Sequence, residues 1–142
     1  MNENQVRRRM VSGTILVLGA LLLSLATGLE PSQAGHGTHM QLGLSSCSFL
    51  AWTGWPCPMC GGTTAFAWMV RGRVVQALHA NPLAVVLFVL LCGAMVFSGL
   101  EFSSRRSQWQ VFIGFYRRHE LLFAGCVLLL VGCSWAWKVA QF

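Results

Sequence analysis

Three long apolar runs constrain this chain more than any other feature. Val11–Leu29, Leu83–Leu100 and Leu121–Trp137 contain no Asp, Glu, Lys or Arg. At about 1.5 Å of rise per residue, the first reaches about 28 Å as a helix, close to the thickness of a bilayer's hydrocarbon core. A helix satisfies its own backbone hydrogen bonds, so runs of this kind can cross a membrane without unpaired polar groups. Only 10% of the residues are charged, against about 25% in a soluble domain. These observations predict an all-α membrane protein with a single membrane domain over 1–142 and spans at about 11–29, 83–100 and 121–138. The lipid bilayer is its first partner.

Each span has readable ends. Arg7, Arg8 and Arg9 precede the first. It is read as a retained anchor, because a signal-peptide core is usually only about 7–15 residues long and no small-x-small cleavage site follows closely. Asn81 is a good N-cap for the second span, and Pro82 stands at the first helical position, where proline is tolerated. Trp135, Trp137 and Lys138 give the third an aromatic and basic interfacial end.

Orientation follows from the basic residues. Of the ten, Arg7–Arg9 and Arg105, Arg106, Arg117 and Arg118 flank one side of the spans, and only Arg71, Arg73 and Lys138 flank the other. The positive-inside rule places the N-terminus and the 101–120 loop in the cytoplasm and residues 30–82 on the outer side. Within the 101–120 loop, Ser107–Tyr116 alternates aromatic and apolar residues between Arg pairs and is expected to form an interfacial helix.

Several functions are excluded by composition. The chain has no Asp, and its acids Glu3, Glu30, Glu101 and Glu120 are scattered. Paired-carboxylate catalysis and carboxylate-rich Ca²⁺ or Mg²⁺ sites therefore lack their groups. A net charge of +6 could suggest a nucleic-acid binder, but the charges sit at span ends as topology signals, so no nucleic-acid partner is expected. No charge falls within the three apolar runs, Lys138 standing at the very end of the third span, which weighs against a transporter or channel.

The chemistry lies in residues 30–82. Met40–Val70 is uncharged and contains Cys57-Pro58-Met59-Cys60-Gly61-Gly62-Thr63-Thr64. Pro56, Pro58, Gly61 and Gly62 break any continuous helix here, so the segment is predicted to be a re-entrant or interfacial short-helix cap packed on the spans. Thr63 or Thr64 would cap a short helix to Val70, Gly72 would end it, and a second short helix would cover about Val74–Ala80.

Two thiols two residues apart, in a Cys-Pro-x-Cys-Gly knuckle, suit two chemistries. The first is a metal site: knuckles of this kind bring two thiolates to one ion, and the glycine frees backbone N–H groups to face sulfur. Cys47 and His39 are the candidate ligands to complete a set with Cys57 and Cys60, and Zn is the candidate ion. The second is a redox dithiol at Cys57 and Cys60 with Cys47 as the resolving partner; a following helix can lower a thiol pKa, but no thioredoxin βαβ pattern surrounds it. The structural reading competes with both, since a buried Cys is a common small hydrophobe and Pro and Gly shape turns. Cys92, Cys126 and Cys133 lie in spans and read as packing residues. His36 reads as a loop residue, and Arg71 and Arg73 as cations snorkelling to lipid phosphates.

The run Gly37-Thr38-His39, Gln41-Leu42-Gly43-Leu44, Cys47, Gly54, Pro56-Cys57-Pro58, Cys60-Gly61, Thr63-Thr64, Arg71-Gly72, Ala77 and Asn81-Pro82 resembles the bacterial family known as domain of unknown function 2752. The likeness covers about Gly37 to Gly99. Many members carry Thr-Arg where this chain has Thr63-Thr64, so no role for that Arg transfers. The resemblance implies a small polytopic protein of the bacterial inner membrane and singles out the knuckle, but brings no reaction. No catalytic residue is assigned, and the balance falls against an enzyme. The expectation is an accessory or maturation factor with a metal or thiol site, the alternative a structural or assembly subunit. Three helices bury little surface, so a membrane-protein partner or a homo-oligomer is expected.

Overall fold

The computed structural model describes residues 3–103, 114 and 116–141. These residues form α1 (Glu3–Gly28), a 3₁₀ turn (Thr38–Leu42), α2 (Ser48–Thr53), α3 (Gly62–Met69), α4 (Val74–Ala80), α5 (Pro82–Ser103) and α6 (Glu120–Ala140). There is no strand among them. Three stretches are long and apolar enough to cross a membrane: Gln5–Gly28, Pro82–Phe102 and Glu120–Ala140. Each extends a turn or so beyond its uncharged run, because backbone hydrogen bonding continues into flanking polar residues. The predicted interfacial helix at Ser107–Tyr116 lies largely outside the described residues.

The longer spans correct one expectation. Glu101 and Lys138 both fall inside spanning stretches, and both are buried. Glu101 lies 3.7 Å from Arg8, which draws the ends of α5 and α1 together away from the cap.

α1 and α5 pack along one another. Ser12, Gly19 and Ala26 are buried at heptad spacing on α1, the 3.5-residue period that keeps one stripe against a neighbour. At Gly19 the Met95 side chain occupies the space a Cβ would take, its Sδ 2.5 Å from that position. Small residues let two membrane helices approach closely, which replaces the hydrophobic drive that lipid removes. Leu18, Leu21, Leu90, Val96, Leu121 and Leu128 point outward and are exposed, as lipid-facing side chains should be.

The cap gathers at the end shared by the C-terminus of α1, the N-terminus of α5 and the C-terminus of α6. Its core is built from alanines: Ala65, Ala77, Ala80 and Ala84 are almost inaccessible and sit with Val85, with Phe66, Trp68 and Met69 packed around them. Alanine at these contacts lets α3, α4 and α5 meet almost backbone to backbone. Phe66 closes the edge against Phe88, with ring centroids 5.4 Å apart at a steep angle.

The helix ends differ in part from expectation. Asn81 caps α5 as predicted, its Oδ1 accepting from Ala84 N at 2.9 Å. α3, however, is capped by neither Thr63 nor Thr64. It starts from Gly61 in the left-handed region (φ 85°) with no side-chain cap, and Thr64 is buried inside it, its hydroxyl 2.7 Å from that of Thr38. Arg71 is not free to snorkel. It donates to Ala67 O (2.8 Å), Thr27 O (3.1 Å) and Ala26 O (3.4 Å). It thus satisfies last-turn carbonyls of α1 that have no partner within their own helix. Gln41 clamps the chain just beyond, its amide oxygen accepting from Glu30 N and its amide nitrogen donating to Glu30 O.

Candidate metal centre

The knuckle is a pair of overlapping tight turns. Cys60 N donates to Cys57 O at 2.9 Å and Gly62 N to Met59 O at 2.9 Å. Both turns bring the Cys57 and Cys60 side chains to one side. Gly61 must be glycine for two reasons. Its φ of 85° is costly for any residue with a Cβ, and a Cβ would press into the carbonyl oxygens of Gly35 and Ala80. Cys47 arrives separately, at the N-cap of α2, with the amides of the first turn behind it.

These two segments bring the sulfurs of Cys47, Cys57 and Cys60 within 4.8 Å of one another. Thiolates bound to one Zn(II) at about 2.3 Å lie about 3.8 Å apart in a tetrahedral site, so only a small inward movement separates this cluster from a ligand set. All three are free thiols. His39 stands nearby but outside the group, with its Nε2 3.2 Å from Ser45 O. His36 lies elsewhere, on a separate polar cavity. Cys92, Cys126 and Cys133 are remote from the cluster, and the last two are exposed on α6.

The thiols differ electrostatically. The Cys47 thiol is held below its ordinary range, chiefly by the Leu50 amide and further by the Cys57 and Cys60 thiols, against the opposing effect of burial. Burial pushes the Cys60 thiol up to about 12, and the neighbouring thiols of Cys57 and Cys47 add to the rise.

The cluster faces a chamber of about 490 Å³ lined by Leu22 and Leu25 of α1, by Leu29 just beyond it and by Phe66, with Met59 and His39. The walls are almost wholly apolar. Behind the knuckle lies a second, polar cavity of about 450 Å³, onto which His36, Gln76, His79, Lys138 and Gln141 face.

The knuckle is held by its carbonyl oxygens. Asn81, fully buried, donates through Nδ2 to Pro58 O and Cys60 O, both at 3.0 Å. Trp135 Nε1 donates to Pro56 O at 2.9 Å. Lys138 Nζ donates to Ala80 O (2.9 Å) and Gly35 O (3.2 Å), the two oxygens against which Gly61 rests. Ser134 Oγ, just before Trp135 in α6, donates to Asn81 Oδ1 at 3.3 Å. Trp135 and Lys138 therefore point into the cap. In the sequence Lys138 stands out only as a cation within an apolar helix, a kind of residue that often marks a functional site.

A three-span helical chain with a cysteine-bearing cap is thus the class defined by fold and site. The model of a family described as "Protein of unknown function (DUF2752)" matches residues 47–95, from Cys47 through the knuckle and Asn81-Pro82 into α5, and supports assigning this stretch to that family. No curated protein and no solved structure matches the chain.

Proposed function

We propose that this protein is a membrane-embedded holder of a soft metal ion, bound by the thiolates of Cys47, Cys57 and Cys60, with Zn(II) the ion that such a set fits. The observation that carries the reading is that three sulfurs from two separate segments lie within 4.8 Å of one another. Thiolate sulfur selects zinc, copper(I) and iron–sulfur centres over the hard cations. Three protein ligands leave a coordination position open, unlike the closed four-ligand set of a structural site. The three cysteines line the apolar chamber together with His39 and Met59, either of which would be available as a further donor. An exchangeable fourth position suits an accessory or maturation factor that takes up and releases its ion.

The basic residues at the end away from the cap, Arg7, Arg8 and Arg9, support a cap on the outer face of a bacterial inner membrane. A dithiol couple would use the same sulfurs, and metal analysis separates the two readings. The purified protein is expected to carry a thiophilic ion, and a Cys57→Ser, Cys60→Ser variant to lose it. Wild-type protein without metal, with Cys57 and Cys60 partly oxidised on thiol trapping, would replace the metal reading by the redox one.

A further inference from the structure

Lys138 is the one buried cation among the described residues, with 4% of its surface accessible. Its partners are two neutral carbonyls, Ala80 O and Gly35 O. The buried carboxylate, Glu101, lies at the opposite end of α5 beside Arg8. An ammonium withdrawn from water and held by dipoles alone is costly, and buried charges are ordinarily paired with an opposite charge or a metal complex. The acidic groups of the cap include the thiols of the knuckle that these carbonyls support. The two carbonyls that hold Lys138 are those that a Cβ on Gly61 would strike, so Lys138 stands directly behind the residue that follows Cys60.

The charges of a filled site can be counted. Three thiolates and a divalent ion carry a net charge of −1. With Lys138 the buried assembly is neutral. Three thiolates around a monovalent ion carry −2 and leave an uncompensated negative charge in a low-dielectric cap. A monovalent ion reaches neutrality only with two thiolates, leaving one cysteine protonated.

Resting on the metal reading above, we propose that Lys138 is the counter-charge of the thiolate site and sets it to bind a divalent ion through all three cysteines. The third span then does more than close the cap, since it fixes the charge, and hence the class, of ion the cap accepts.

The test uses the full-length protein, reduced, stripped with chelator and kept in detergent micelles. Co(II) serves as the spectroscopic probe and Zn(II) as the competitor. Wild-type protein should show sulfur-to-cobalt charge transfer of three-thiolate intensity. Lys138→Gln retains a hydrogen-bond donor but removes the charge. It should weaken Zn(II) binding on the order of 10–100-fold, the usual effect of losing an outer partner of a metal ligand. Its charge-transfer intensity per cobalt should fall by about a third as one thiol keeps its proton. Lys138→Arg restores the charge and should recover the three-thiolate spectrum. Equal spectra and affinities for wild type and Lys138→Gln would overturn the proposal while leaving the metal site standing. So would equal loss in Lys138→Gln and Lys138→Arg, which would mark the residue as a structural strut. Wild-type protein that binds neither Co(II) nor Zn(II) would overturn the metal reading and this inference together.

Discussion

The side-chain amide of Asn81 and the backbone carbonyl of Cys60 are joined by a buried hydrogen bond of 3.0 Å. The same side chain starts the spanning helix α5 through its bond with Ala84 N. One residue therefore sets both where α5 begins and where the second knuckle thiol lies. Asn81→Ala would leave Pro58 O and Cys60 O buried without this donor and remove an N-cap. Destabilisation of about 2–4 kcal/mol is expected, read as a lowered thermal midpoint of Trp fluorescence in micelles. Asn81→Asp should be worse than Ala, because a carboxylate would face two carbonyl oxygens; a more stable Asp variant would contradict the bonding described.

Gly61→Ala should be more damaging than its size suggests. The left-handed backbone alone costs about 1–2 kcal/mol, and the new methyl would have to displace Gly35 O or Ala80 O. Both oxygens also hold Lys138, so the variant should lose bound metal as well as stability. Gly43→Ala supplies the comparison, since its φ is also positive (75°) but its Cβ meets nothing within 4 Å. It should show the backbone cost and keep the metal.

Trp135→Phe removes one hydrogen bond, from Nε1 to Pro56 O, and preserves most of the ring. A loss of about 1 kcal/mol is expected, measured by chemical unfolding. A loss several times larger would mean that the ring, not the N–H, holds the knuckle.

In the chelator-stripped protein the thiols should titrate in order. Cys47, held below its ordinary range by the Leu50 amide, should be alkylated before Cys60 as pH rises. Cys60 should also make stability pH-dependent. Its thiol titrates at 9.0 in its ordinary state and is pushed up to about 12 in the fold. Between these values the folded chain holds more protons than the unfolded one, so stability must fall as pH increases. The contribution is intact below about pH 9 and gone above about pH 12. Cys60→Ala should flatten this slope, and an unchanged slope would rule out Cys60 as its source.

The spans and the start of α5 were legible because length, apolarity and the Asn81-Pro82 pair each act locally. The grouping of Cys57 with Cys60 was legible for the same reason, as two thiols in one tight turn. Cys47 entered the candidate set from sequence, but its approach to the pair depends on how α2 folds back, which spacing does not encode. The bonding partners of Arg71, Trp135 and Lys138 were not legible. Each donates to carbonyl oxygens, and every residue of the chain offers one of those, so nothing in the acceptor's identity marks the pairing. The heptad Ser12, Gly19 and Ala26 could have been found, because small residues at a period of seven are visible without a structure.

Asn81, Trp135 and Lys138 all grip main-chain oxygens and leave the side chains of the knuckle alone. The frame is consequently indifferent to what stands at Met59. A thioether, an imidazole or an inert methyl there would ride on the same scaffold, so the reactivity of the cluster can drift or be redesigned at that position without retuning the architecture that carries it.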